Sequence, residues 1–98
     1  MDVLILRTLC GEQMHGYAVS QKIRQRSEGV LQLDDAALYQ ALHRLEGKDW
    51  IESEWGRSEN NRRAKYYRLT SVGKMQLRQG KDSWRRYAEA VSKVLDPA

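Results

Sequence analysis

The sequence predicts a mainly α-helical fold with one small β-hairpin: a body over residues 1–70 and a long terminal helix over residues 71–98. Three observations point to it. Leu38, Leu42 and Leu45 recur at helical spacing behind a capping aspartate. Two alternating stretches, residues 50–55 and 64–70, flank the polar run GRSENNRR. Leu77, Gly80, Trp84, Tyr87, Val91 and Val94 occupy the a and d positions of a heptad. A chain of 98 residues has room for one core.

The first helix covers residues 2–10 (DVLILRTLC) and stops at Gly11, which accepts the positive φ of a helix end. Val3, Leu4, Ile5, Leu6, Leu9 and Cys10 cover nearly every azimuth, where a surface helix of a small domain needs a single apolar stripe. The expectation is a helix that faces its own core and, through Val3, Leu4 and Ile5, a second subunit. Cys10 reads as a small buried hydrophobe.

A second helix follows over residues 15–27, with Tyr17 or Val19 and Ile23 inward and Gln21, Lys22, Arg24, Gln25 and Arg26 outward. His15 stands where it begins, as a cap or packing residue rather than a catalytic base. Val30, Leu31 and Leu33 form a short apolar connector.

The third helix, residues 34–48, has Asp34 as N-cap and a hydrophobic staple between Leu33 and Leu38. Ala37 and Ala41 flank its leucine stripe, and Tyr39, Gln40, His43 and Arg44 show on the other face. Arg44 is placed to pair with Glu46. In the hairpin, Ile51 and Trp55 share one face and Glu52 and Glu54 the other; Tyr67 and Leu69 oppose Tyr66 and Arg68. Asn60 and Asn61 suit the turn. Thr70 or Ser71 caps the last helix, which runs to about Leu95 with Asp96-Pro97 as its stop. At 1.5 Å per residue it would be ~36 Å long, longer than the body it leaves, so its apolar stripe calls for a partner chain. A homodimer follows, with Leu77, Trp84, Tyr87, Val91 and Val94 in the seam. Gly80 leaves a gap there, beside the rings of Trp84 and Tyr87, that could admit a flat apolar ligand.

Composition removes several classes of function. Charged residues are 31% and hydrophobic ones 41%, too apolar for a disordered tail and too polar for a membrane span. The longest apolar run, Val3–Leu6, is far short of the ~20 residues a spanning helix needs, and no signal-peptide pattern surrounds it. One cysteine and two histidines make neither a disulfide framework nor a metal site, and no cofactor is expected. No GxSxG, HExxH, phosphate-cradling glycine loop or paired-acid spacing supports an enzyme. The expectation is a soluble cytoplasmic protein. A net charge of +4 and a pI near 9.4 suit an anionic partner.

Helix, helix, helix, hairpin, helix is the order of a winged helix-turn-helix, whose third helix enters the major groove of double-stranded DNA while the hairpin reaches the flanking backbone. Gln40 and Arg44 have donor geometry for base edges. Arg57, Arg62, Arg63, Lys65 and Arg68 set five cations in twelve residues against Glu59 alone. His15, Tyr17, Tyr39, Gln40, His43, Arg44, Arg57, Asn61, Arg62, Arg63 and Lys65 are therefore the candidate DNA contacts, although Tyr17 could equally be buried. The competing reading is a winged-helix module that binds protein instead of DNA.

The segments MHGYAVSQKI (14–23), LYQALHRLEGKDWIESEW (38–55) and NNRRAKYYRLTSVGKMQL (60–77) resemble the PadR-like transcriptional regulators, closest to the branch with a single short C-terminal helix. The resemblance spans essentially the whole chain and rests on the spaced set HGY, LYxALHRLE and KYYxLTxxG. It implies a bacterial homodimeric repressor, paired through its first and last helices on a palindromic operator and often released by an aromatic or drug-like effector. Ala37 and Gln40 depart from the family's usual Ser (or Thr) and Pro, which bears on the operator sequence more than on the DNA-binding role.

Overall fold

The computed structural model describes residues 1–96. In chain order the elements are α1 (Asp2–Leu9), β1 (Met14–His15), α2 (Gly16–Arg26), α3 (Asp35–Gly47), β2 (Ile51–Arg57), β3 (Arg63–Leu69) and α4 (Ser71–Leu95). Three of the helix starts are fixed by side chains that take up otherwise unpaired amides. His15 Nδ1 accepts from Ala18 N, Asp34 from Ala37 N and Thr70 from Gly73 N. Gly11 and Gly29 carry φ of +94° and +84° after α1 and α2. The expected stop at Pro97 lies outside the described residues.

The sheet has three antiparallel strands in the order β1-β3-β2. Beyond the expected hairpin, Met14 pairs with Tyr67 and His15 with Tyr66. A two-residue strand leaves no alternating pattern by which the sequence could announce it. The hairpin is also longer than expected, since Gly56 pairs with Ala64 and Arg57 with Arg63. Ser58 N donates to Arg62 O at 2.8 Å, and Asn61 takes a φ of +59° to close the turn.

One core unites the body. Ile5, Leu6 and Leu9 of α1, Val19 and Ile23 of α2, Leu38, Leu42 and Leu45 of α3, and Ile51 and Tyr67 of the sheet are buried together with Leu77 of α4. α1 runs through its middle, touching α2, α3, β3 and α4. That central place explains why its apolar residues cover so many azimuths, and it corrects two expectations. Ile5 is 0% exposed and Leu77 6%, so both belong to the chain's own core and not to a dimer surface. Cys10 is also corrected: it is exposed, as the C-cap of α1.

Two glycines mark close approaches in the body. A Cβ at Gly73 would collide with the Trp50 carbonyl oxygen, which already accepts from Thr70 N at 3.1 Å and from Thr70 Oγ1 at 3.0 Å. The TxxG spacing therefore joins the start of α4 to the start of β2. A Cβ at Gly80 would stand 2.5 Å from Val3 Cγ2, so the expected gap beside Trp84 and Tyr87 is filled by α1 of the same chain. Past that crossing α4 runs free, and the described residues extend 55 Å in their longest dimension. Leu4, Trp84, Tyr87 and Val94 remain exposed and Val3 and Val91 half-buried, with the Trp84 and Tyr87 rings 5.8 Å apart. No helix among the described residues is long and apolar enough to cross a membrane.

Candidate nucleic-acid interface

α3 buries its leucine stripe and turns Tyr39, Gln40, His43 and Arg44 outward, as amphipathic spacing requires. Tyr39 is not merely solvated. Its ring lies against Gly16, where an added Cβ would stand 2.7 Å from Cε1 and 2.9 Å from the hydroxyl. Gly16 thus seats α3 against the start of α2, a connection between the HGY and LY segments that spacing alone did not reveal. Arg44 pairs with Asp2 across the body, not with Glu46. On a helix, residues two apart point in divergent directions, so Arg44 reaches the neighbouring α1 instead.

The hairpin continues this surface. Ile51, Ser53 and Trp55 share one face of β2, which leaves the core at Ile51 and emerges at Trp55. Opposite them, Tyr67, Lys65 and Arg63 follow the same progression along β3. The Arg63 guanidinium stacks over Trp55, 4.5 Å from the ring centroid. Arg57 donates to Asn61 O and Oδ1 at 3.3 and 3.4 Å. Arg57 and Arg63 are cross-strand partners, so two like charges stand directly opposite each other, and Arg62 adjoins them. Such a pair disfavours the hairpin unless an anion lies nearby. Among the described residues none of these three arginines has a carboxylate partner within 4.0 Å.

Two members of the expected cationic set are engaged elsewhere. Arg68 lies on the opposite face, bound to Glu52 at 2.7 Å and Glu54 at 3.2 Å, and so leaves the basic tip. Lys65 Nζ sits 3.1 Å from Glu46 Oε1, while Ser53 donates to the other oxygen of the same carboxylate. Glu46 thereby ties α3 to both strands of the hairpin. Its pKa is lowered below the ordinary carboxylate value, first by the Ser53 hydrogen bond and then, against some desolvation, by Lys65. For Tyr67, burial beneath this cluster raises the phenol pKa.

Between α2, Tyr39 and the hairpin lies an open groove of about 980 Å³. It gathers His15, Tyr17, Tyr39, Arg62, Arg63 and Lys65. Gln40, His43 and Arg44 lie on α3 outside it, and Arg57 and Asn61 at the hairpin end. Tyr17 is exposed, accepting from Gln21 Nε2 at 2.5 Å, which resolves its two readings in favour of the surface. Gln21, Lys22 and Gln25 also line the groove. Their spacing from Tyr17 along one helix face was the signal available for them. Among the described residues no group of histidine, cysteine and acidic side chains could hold a metal.

Comparison with known proteins agrees with this geometry. Residues 5–79 match the transcriptional regulator PadR-like family. The chain is similar to an uncharacterised protein of Lysinibacillus sphaericus, 33% identical over 96 residues that span 98% of this chain and 88% of that one. Among solved structures it resembles a transcriptional regulator from Clostridium thermocellum at 30% identity and a TM-score of 0.86, covering 95% of this chain and 90% of the other. It also resembles a PadR family transcription regulator from a hypervirulent Clostridium difficile strain, at 34% identity, a TM-score of 0.82 and 96% coverage of each chain.

Proposed function

Because this chain belongs to the PadR-like family of transcriptional regulators, we propose that it binds double-stranded DNA as a homodimer and represses transcription from a palindromic operator. Tyr39, Gln40, His43 and Arg44 of α3 read the major groove, and Arg57, Arg62 and Arg63 hold the flanking phosphates. Residues 1–70 supply the reading surface and residues 71–98 the pairing helix. The observation that carries this reading is the trio of hairpin arginines, two of them directly opposed and none with an acid partner. Their mutual repulsion is relieved by a polyanion.

The exposed Trp84, Tyr87 and Val94, with Leu4 beside them, provide the apolar face for the second subunit. A small aromatic effector is taken up between subunits at Trp84 and Tyr87, whose rings are already in contact, and its binding releases the DNA. Since Val3 occupies the space at Gly80, this ligand site depends on the partner chain. Selection from a random-duplex library tests the reading: half-sites of two-fold symmetry about 10 bp apart are expected, and an asymmetric or absent consensus contradicts it. Salt bridges on Lys65 and Arg68 favour a second reading, a protein-binding module with a partly neutralised hairpin. That reading holds if the chain binds no duplex at low salt.

A further inference from the structure

The face of α4 beside its core contact carries Lys74, Arg78, Lys81 and Arg85. At 100° per residue they fall within an arc of roughly 60°, and they span about 16 Å of the helix axis. Lys74 with Arg78 and Lys81 with Arg85 are i, i+4 pairs of like charge, which disfavour a helix. Among the described residues none of the four has a carboxylate within 4.0 Å. Asp82 is close in sequence but makes no such pair, so the repulsion is uncompensated within the chain.

These four cations do not stand on a flat surface. With Asp82, Cys10 and Leu77 they line a crevice of about 310 Å³ where the end of α1 meets α4. That is the lower end of the size range for small-ligand sites. Leu77 and Cys10 give it an apolar wall, and the cations rise from successive turns along it. We propose that this crevice binds a small molecule bearing two or more anionic groups, phosphate or carboxylate, with an apolar part against Leu77 and Cys10. The cations hold the anionic groups, and the ligand removes the like-charge penalty on α4. The site is separate from the groove between α2 and the hairpin and from Trp84 and Tyr87. α4 also carries the exposed apolar seam, so occupancy of the crevice would influence how two chains pair.

The test uses the full chain with tripolyphosphate and, separately, citrate as probes, followed by calorimetry and thermal melting at about 150 mM salt. Two variants separate the candidate sites: Lys81→Gln with Arg85→Gln on α4, and Arg62→Ala with Arg63→Ala on the hairpin. Tripolyphosphate should bind the wild type and the hairpin variant and raise their melting temperatures, and the α4 variant should lose this. Without ligand, the α4 variant should melt above the wild type, because a like-charge pair is gone. Binding of citrate as well would extend the site to polycarboxylates. The inference is overturned if the wild type binds neither probe, if the hairpin variant loses the binding and the α4 variant keeps it, or if the ligand-free α4 variant melts lower. It is also overturned if the α4 variant loses affinity for random duplex, for then the stripe belongs to DNA. A chain that binds no duplex but takes up tripolyphosphate through α4 keeps this site and loses the proposed function.

Discussion

Gly16→Ala isolates the contact that joins α2 to the reading helix. The new Cβ would stand 2.7 Å from Tyr39 Cε1, and restoring an ordinary 3.4 Å contact moves the ring by about 0.7 Å. Two effects oppose each other in stability. Overpacking costs ~1–3 kcal/mol, and replacing glycine in a helix returns up to ~1 kcal/mol. Tyr39 is 49% exposed, so its ring can swing outward rather than compress the core. The net change should stay within about 1 kcal/mol, less than ~8 °C in melting temperature for a domain of this size. Operator affinity should fall much further, because the displaced ring loses a contact of ~1–3 kcal/mol, a tenfold change for each 1.4 kcal/mol. Fluorescence anisotropy on a selected operator measures it, and repeating the substitution in a Tyr39→Ala background completes the cycle. There Gly16→Ala should cost nothing in affinity. Equal losses in both backgrounds would refute the reasoning, since the glycine would then act by some route other than the tyrosine.

Other outcomes follow from the same geometry. Arg62→Ala with Arg63→Ala should weaken all duplexes alike and reduce the slope of log affinity against log salt by up to ~2, about 0.9 for each phosphate released; an unchanged slope removes the hairpin from the phosphates. Trp84→Ala should leave the single-chain fold intact, because Trp84 is 61% exposed within it. Sedimentation should nevertheless show dimerisation weakened by ~3 kcal/mol, roughly 100-fold, and an unaltered dimer contradicts the seam. Glu46 has its pKa lowered in the folded chain, so its contribution to stability is full above the unfolded value of about 4.5 and fades as pH falls through the folded value. Glu46→Gln should therefore flatten the loss of melting temperature on acidification below pH 4.5, and a parallel curve for the variant would show that Glu46 does not contribute.

Much of this architecture could be read from residues whose reasons are local. Asp34 and Thr70 cap where helix starts demand side-chain acceptors, and Leu38, Leu42 and Leu45 bury as their period requires. The Asn61 turn is legible because few residues tolerate its positive φ. What escaped the sequence depends on contacts between distant segments. β1 exists only because β3 offers Tyr66 and Tyr67 as partners, and two residues carry no period of their own. Arg68 counts as a basic hairpin residue in one dimension, yet strand alternation turns it to the face of Glu52 and Glu54. Helical position alone could not tell which apolar residues of α1 meet α4 and which meet the rest of the core. Ile5 was consequently assigned outward, and Gly80 was taken for a gap that Val3 fills. The candidate interface was legible as a set of residue types; the Gly16 seat, the stacking of Arg63 on Trp55 and the Glu46 tie emerge only in three dimensions.

The most direct test is a titration of the wild-type chain against random duplex DNA across a range of salt concentrations. Binding that is tight at low salt and declines linearly on logarithmic axes is expected, with a slope of several phosphates per dimer. No association at the lowest salt would contradict the proposal that α3 and the arginine-tipped hairpin form a surface for DNA.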